Sequence, residues 1–346
     1  MRTIGAVQSE HSTGEVLFDA DVQVLKDRVI LRLVRGLDAQ YVLEHHLVRI
    51  DGTRLIQVLS LAESAVLEEF IAADPYGEHL RTQYDSIGRL CGELTNRYTA
   101  HRLVPSDKLD ALKDVGAIAA CSSESEVMAI AARVLAQCGG QSYTYRWLRI
   151  DEKTGAIGFQ RTLVGCHPAW LHTYAKRQWY KKDPFVEYAR RNGSPARSSD
   201  VSVFGNEHWG REEASRYGFR STIVCPAHPA SGPSIGLLQV GNELPSEEGE
   251  QALWQHRVLF RALADEMLDW GIARRRSEEA SRVALEPREL VALRLLRDGR
   301  TAFHVAENLG VSERTAYGIF RKINDKLGVS HIARAVEMAA ERGLIE

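Results

Sequence analysis

The sequence predicts an α/β domain, helices flanking an antiparallel sheet, followed by an all-α unit of four helices. Three observations carry this. Residues 142–150 and 235–240 read as strands by their side-chain alternation, while 124–138 and 249–272 repeat their apolar residues at helical spacing. Such a mixture packs as layers of helices on a sheet. A charged run, Arg274-Arg275-Arg276-Ser277-Glu278-Glu279, then reads as a linker or as the frayed end of the preceding helix. Beyond it every apolar stripe has the helical period.

A chain of 346 residues accommodates two or three domains. We divide it into an N-terminal extension, 1–105, a second block, 106–273, and a third, 282–346. Residues 96–107 read as the linker between the first two. Leu47-Val48-Arg49-Ile50-Asp51 echoes Trp147-Leu148-Arg149-Ile150-Asp151, and each is followed by an Asp-Pro, Asp74-Pro75 and Asp183-Pro184. The first block is thus either a degenerate half-copy of the second or an unrelated α/β extension.

Net charge is −2, so any surface for nucleic acid has to be local. The five cysteines, Cys91, Cys121, Cys138, Cys166 and Cys225, are odd in number and lack CxxC spacing. This argues against a disulfide framework or zinc site and predicts a reducing, cytoplasmic setting. Residues 1–20 lack the apolar core of a signal peptide, and no 18-residue apolar run predicts a membrane span.

In the third block, Pro287 sits near N1 of a helix with Glu289 in its first turn, and Asp298-Gly299 ends it. A short helix over 302–309 follows, and Gly310 supplies the tight turn. Ser312 has N-cap chemistry for a longer helix to about Leu327. Ala316, Ile319, Phe320, Ile323 and Leu327 form its buried stripe, leaving Arg314, Gly318, Arg321 and Asp325 outward, flanked by Tyr317 and Lys322. A helix locked on one side with arginines on the other is what a major-groove reader requires. An amphipathic bundle with a solvated arginine face has the same periodicity. A last helix over 330–342 carries Ile332, Ala335, Val336 and Ala339, part of which reads as a dimer seam.

Leu285-Glu286-Pro287-Arg288-Glu289, Gly310-Val311-Ser312-Glu313-Arg314-Thr315 and the run from Arg321 to Ser330 resemble the LuxR-family DNA-binding signature over some sixty residues. The resemblance implies a helix-turn-helix transcriptional regulator that binds double-stranded DNA, with Arg314, Thr315, Tyr317, Gly318, Arg321 and Lys322 on the DNA face. Ala316 and Ile319 depart from the usual valine and histidine, which bears on the target sequence.

In the second block, Trp170 and Tyr174 share a helix face, Trp179 and Tyr180 follow, and Asp183 comes directly after this aromatic cluster. That is the composition of a small-molecule pocket, in which an amide N–H would meet the carboxylate. Equally, the aromatics are core and Asp183 caps a helix starting at Pro184. Trp170-x3-Tyr174, Asp183-Pro184, Tyr217-Gly218-Phe219-Arg220-Ser221, Pro226 and Gly236-Leu237-Leu238 resemble the autoinducer-binding domain of LuxR-type quorum-sensing receptors. The resemblance implies that Trp170 donates to the lactone carbonyl of an acyl-homoserine lactone, Asp183 accepts from its amide, and Tyr174 lines the acyl pocket. Cys166, Ser198, Thr222 and Gln239 stand where the family has tyrosine, tryptophan, glycine and serine or threonine, respectively. Ser198 is expected to open space where the indole packs.

No HExxH, GxxxxGK[ST] or GxGxxG motif is present, and adjacent Cys166 and His167 point apart in most backbones. The sequence therefore predicts no catalytic residue, metal or cofactor. It predicts a ligand-responsive regulator, a homodimer in the cytoplasm with no membrane partner. The alternatives are a ligand-independent regulator, and an antagonist that pairs with another regulator.

Overall fold

The computed structural model of the protein describes residues 14–36, 40–61, 64–95, 111–151, 154–201, 211–230, 234–341 and 344–345. The linker read at 96–107 lies outside them. Ser12–Leu268 forms one unit and Asp269–Glu346 belongs to a second.

In the first unit β1 (Gly14–Val24), β2 (Asp27–Gly36), β3 (Tyr41–Val48) and β4 (Arg54–Ser60) precede α1 (Ser64–Ala73), α2 (Arg81–Thr95), α3 (Ala111–Ala117) and α4 (Glu124–Gln137). Then come β5 (Ser142–Ile150), β6 (Ile157–Gly165), α5 (Ala169–Lys176), α6 (Pro184–Arg191), β7 (Ala196–Arg197), α7 (Ser198–Val201), α8 (Arg211–Ser215), β8 (Ser221–Ala227), β9 (Ser234–Asn242), α9 (Ser246–Trp254) and α10 (Arg257–Val283), whose residues from Asp269 on belong to the second unit. The strands form one sheet in the order β1-β2-β3-β4-β6-β5-β9-β8-β7. The residues read as an N-terminal extension thus supply four strands of the same sheet.

The expected antiparallel sheet is mixed at one seam. β4 runs parallel to β6, with Gln57 opposite Thr162, and the other neighbours are antiparallel. A parallel pair needs a long crossover, and the chain from 61 to 156 provides one. On β1 and β2, Asp21 meets Arg28, Asp19 meets Arg32 and Glu15 meets Arg35.

One sheet face packs on α1, α2 and α5, where Leu31, Leu33, Leu43, Phe70, Leu80 and Ile87 share a core with Trp170, Leu171 and Tyr174. The other face meets α4 and α10. There the Tyr145 hydroxyl donates to the Ala264 carbonyl (2.8 Å), and Trp147 Nε1 donates to Met267 (3.2 Å). Ser123 caps α4 by accepting from the Glu126 amide. The helical period expected over 249–272 divides into α9 and α10, and α10 continues through the Arg274–Glu279 run, so that run extends a helix. The echoed segments end β3 and β5, and Asp51 and Asp151 each accept from a threonine amide in the following turn. His45 and His46 lie on opposite sheet faces, as expected of strand neighbours. Among the described residues no helix is long and apolar enough to cross a membrane.

In the second unit α11 (Pro287–Arg297), α12 (Ala302–Asn308), α13 (Glu313–Leu327) and α14 (Ile332–Glu341) follow one another. Gly310 adopts φ +64° between α12 and α13, as its turn position requires. Ser312 Oγ accepts from the Thr315 amide (3.2 Å), and Ala316, Ile319, Phe320, Ile323 and Leu327 are buried. Glu289, also buried, accepts from the Glu286 amide and from Lys326 Nζ, tying α11 to the end of α13. On α14, Ala335 and Ala339 are fully buried in this unit's own core, and Ile332 and Val336 pack half-buried against it.

Candidate functional site

Strand β5 turns Arg146 to the same face as Thr144 and Leu148, toward α5 and α6. Its guanidinium is buried, 3% exposed. Nη1 donates to the Tyr174 hydroxyl (2.8 Å) and to Asp183 Oδ2, and Nη2 reaches Gln239 Oε1 at 3.4 Å. Tyr174 in turn donates to Asp183 Oδ2 (2.6 Å). Oδ1 of Asp183 accepts from the amides of Phe185 (2.8 Å) and Val186 (3.4 Å), the first turn of α6. Asp183 is therefore an N-cap followed by Pro184 at N1, one of the two readings of the sequence.

This closed network corrects the expectation that the carboxylate awaits an amide from a ligand. Both oxygens already have donors within the chain. Burial works against the Arg146 charge, but Asp183 and Tyr174 outweigh it and hold the guanidinium above its ordinary value. Burial and the neighbouring carboxylate push the Tyr174 hydroxyl far up, so it stays a neutral donor. Arg146 Nε is the buried polar atom of the cluster with no hydrogen-bond partner among the described residues.

The sequence-derived pocket residues are only partly brought together. Tyr174, Asp183 and Gln239 meet around Arg146, and the Trp170 ring lies 6.2 Å from Tyr174, packed also against Trp179, Tyr217 and Phe219. Ser198 does not open room: its Oγ donates to Glu250 Oε1 (2.5 Å), and Ser199 adds two bonds to the same carboxylate. Thr222 Oγ1 reaches back to the Phe219 carbonyl (3.4 Å). Cys166 packs against the aromatic core, where burial pushes its thiol well above the ordinary value. His167 instead lies toward the surface, 3.6 Å from Glu69. Arg146 is the residue missed by the sequence reading. Its signal was a charge at an inward position of an alternating strand.

On α13 the residues expected to face DNA, Arg314, Thr315, Tyr317, Gly318, Arg321 and Lys322, are all exposed. A Cβ at Gly318 would meet nothing within 4 Å, so the glycine leaves that face open. The Thr315 hydroxyl is shared with the Ser312 cap (2.9 Å).

Residues 123–269 match the family model described as the autoinducer binding domain. Over 182 residues the chain is 25% identical to the transcriptional activator protein VanR of Vibrio anguillarum, covering 51% of this chain and 74% of VanR. It is 24% identical over 198 residues to the transcriptional activator protein AhyR of Aeromonas hydrophila, covering 52% and 71%. Among solved structures, SdiA of Escherichia coli aligns over 68% of this chain and 97% of its own, at 16% identity and a TM-score of 0.45. CepR2 of Burkholderia cenocepacia, titled an N-acylhomoserine lactone dependent LuxR family factor, aligns over 47% and 94%, at 16% identity and a TM-score of 0.38. VanR and AhyR are transcriptional activators, and it is through residues 123–269 that this chain is similar to the autoinducer binding domain family.

Proposed function

We propose that the chain is a signal-responsive transcriptional regulator that binds double-stranded DNA as a homodimer through α13. The observation that carries this is the division of α13 into a buried apolar stripe and an exposed face. On that face Arg314, Arg321 and Lys322 have no ion-pair partner among the described residues. Such cations are free to meet phosphates and base edges in the major groove. The activator relatives and the autoinducer binding domain support the same reading. The signal in this proposal is a small acyl amide of the acyl-homoserine lactone kind, held beside Trp170, Tyr174 and Gln239, with Arg146 Nε–H offered to one of its carbonyls. Cys166, Ser198 and Thr222 then shape the surroundings from the positions described above.

A second reading, a regulator that needs no signal, is favoured by the internal pairing of Asp183 with Arg146 and Tyr174. One experiment separates the two. A duplex is selected from a random pool by the purified protein, and its affinity is measured by gel shift with and without lactones of graded chain length. Arg321→Ala is expected to weaken binding by about 1–3 kcal/mol, and affinity should fall steeply with salt. A lactone that tightens DNA binding supports the signal-responsive form; indifference to the whole series supports the second. If Arg321→Ala leaves affinity unchanged, α13 is not the reader. If no duplex is retained at all, the antagonist reading takes over.

A further inference from the structure

The strands preceding the autoinducer binding domain build a cavity of about 190 Å³ against it. His45 on β3 and Gln57 on β4 stand directly opposite each other and form the floor. His172 and Lys176 of α5 close one side, Tyr76 another, and Arg49 lies at the end of β3. The cavity shares no lining residue with the Arg146–Asp183 network.

Its polar walls are unsatisfied. Both ring nitrogens of His45, Oε1 of Gln57, Nε2 of His172 and Nε of Arg49 are buried and make no hydrogen bond among the described residues. His45, His172 and Gln57 are only 2%, 4% and 6% exposed. A buried polar atom without a partner is costly, and folded proteins leave few. Here four side chains with such atoms line one cavity.

Their chemistry specifies the occupant. Gln57 Oε1 only accepts, so the ligand has to bring an O–H or N–H. Arg49 Nε and Lys176 Nζ only donate, so its other end has to accept. Arg49 is already paired with Asp27 (2.8 Å), whereas Lys176 has no ion-pair partner among the described residues, which favours a negative charge at that end. Asp74, behind the histidines, is committed to the Tyr84 hydroxyl and the Tyr76 amide. The volume corresponds to roughly six to ten non-hydrogen atoms, judged from the space that water molecules occupy.

We propose that this cavity is a second ligand site for a small hydroxy- or amino-carboxylate. The carboxylate lies toward Lys176 and Arg49, and the hydroxyl or amino group donates to Gln57, with His45 and His172 completing the shell. The site joins the N-terminal strands to α5, the helix that also carries Tyr174.

The test uses the full chain with L-lactate, L-malate, L-threonine and L-glutamate as probes and erythritol as the uncharged control. Titration calorimetry and thermal shift are the readouts. At least one carboxylate is expected to bind saturably and raise the melting temperature. Lys176→Met, an exposed change that leaves the core intact, and Gln57→Leu are each expected to weaken it about ten-fold or more. If Gln57→Leu does not fold, Lys176→Met decides alone. A cavity that holds only water gives no saturable binding below about 10 mM and overturns the proposal. So does binding that is indifferent to the substitutions, or erythritol binding as tightly as the carboxylates.

Discussion

Replacing Arg146 by methionine is expected to destabilise the first unit by about 3–5 kcal/mol, because it leaves the Asp183 carboxylate buried without its cation. The Tyr174 hydroxyl and Gln239 Oε1 lose a donor in the same step. Urea denaturation followed by tryptophan fluorescence reads the loss, since Trp170 and Trp179 lie in the neighbouring cluster. Adding Asp183→Leu to Arg146→Met should recover much of it, because a buried ion pair exchanged for apolar side chains is often neutral. The recovery falls short by about 1 kcal/mol, the worth of the α6 cap that Asp183 also provides. A single mutant that loses under about 1 kcal/mol would mean that the network contributes little.

The same unit should be acid-labile in two stages. Burial is the main reason that His172 is held down to about 3, with His45 adding repulsion and Asp74 opposing both. His45 is lowered too, again chiefly by burial. Both rings are therefore neutral in the fold, whereas the unfolded chain takes up protons near 6.5. Their contribution is complete above that pH and is lost as pH falls toward the folded values. From His172 alone the loss is about 3 kcal/mol between pH 6.5 and pH 4. Glu44 adds the second stage. Burial raises its carboxyl, but Arg161 and His46 outweigh burial and hold it well below the ordinary range. Its contribution is present above about 4.5, the value expected of the unfolded chain, and is lost below it. Urea midpoints at pH 7, 5.5 and 4 test this. His172→Gln should flatten the slope between pH 6.5 and 4; midpoints that do not move would disprove the buried-histidine account.

What could be read in the sequence was what has a short period or a local partner. The α13 stripe repeats every three to four residues, and Ser312 caps an amide three positions on, so both could be placed from the chain alone. Asp183 before Pro184 was legible as a cap for the same reason. The partner of Asp183 was not, because Arg146 lies 37 residues away on a strand whose neighbours give no hint of a carboxylate. The parallel seam was hidden likewise, since β4 and β6 meet across nearly a hundred residues. On β3 the buried Glu44 looks out of place until Arg161, 117 residues later, arrives beside it (2.7 Å). Ser198 was misread because its removal of an indole was visible and its partner Glu250, 52 residues on, was not.

The β4–β6 seam also bears on how this sheet stays out of trouble with other chains. Cut at residue 123, where the family match begins, the domain would carry β6 as an outermost strand with one row of backbone N–H and C=O groups open. Such a row is a template on which a foreign strand polymerises. β4 occupies it, and among the described residues the open row passes outward to β1. There Glu15, Asp19 and Asp21 recur along a single strand, each balanced by an arginine of β2. A second molecule aligning against β1 would have to seat its backbone beside those side chains. The N-terminal strands therefore act as a sheath, exchanging an adhesive margin for a charged one.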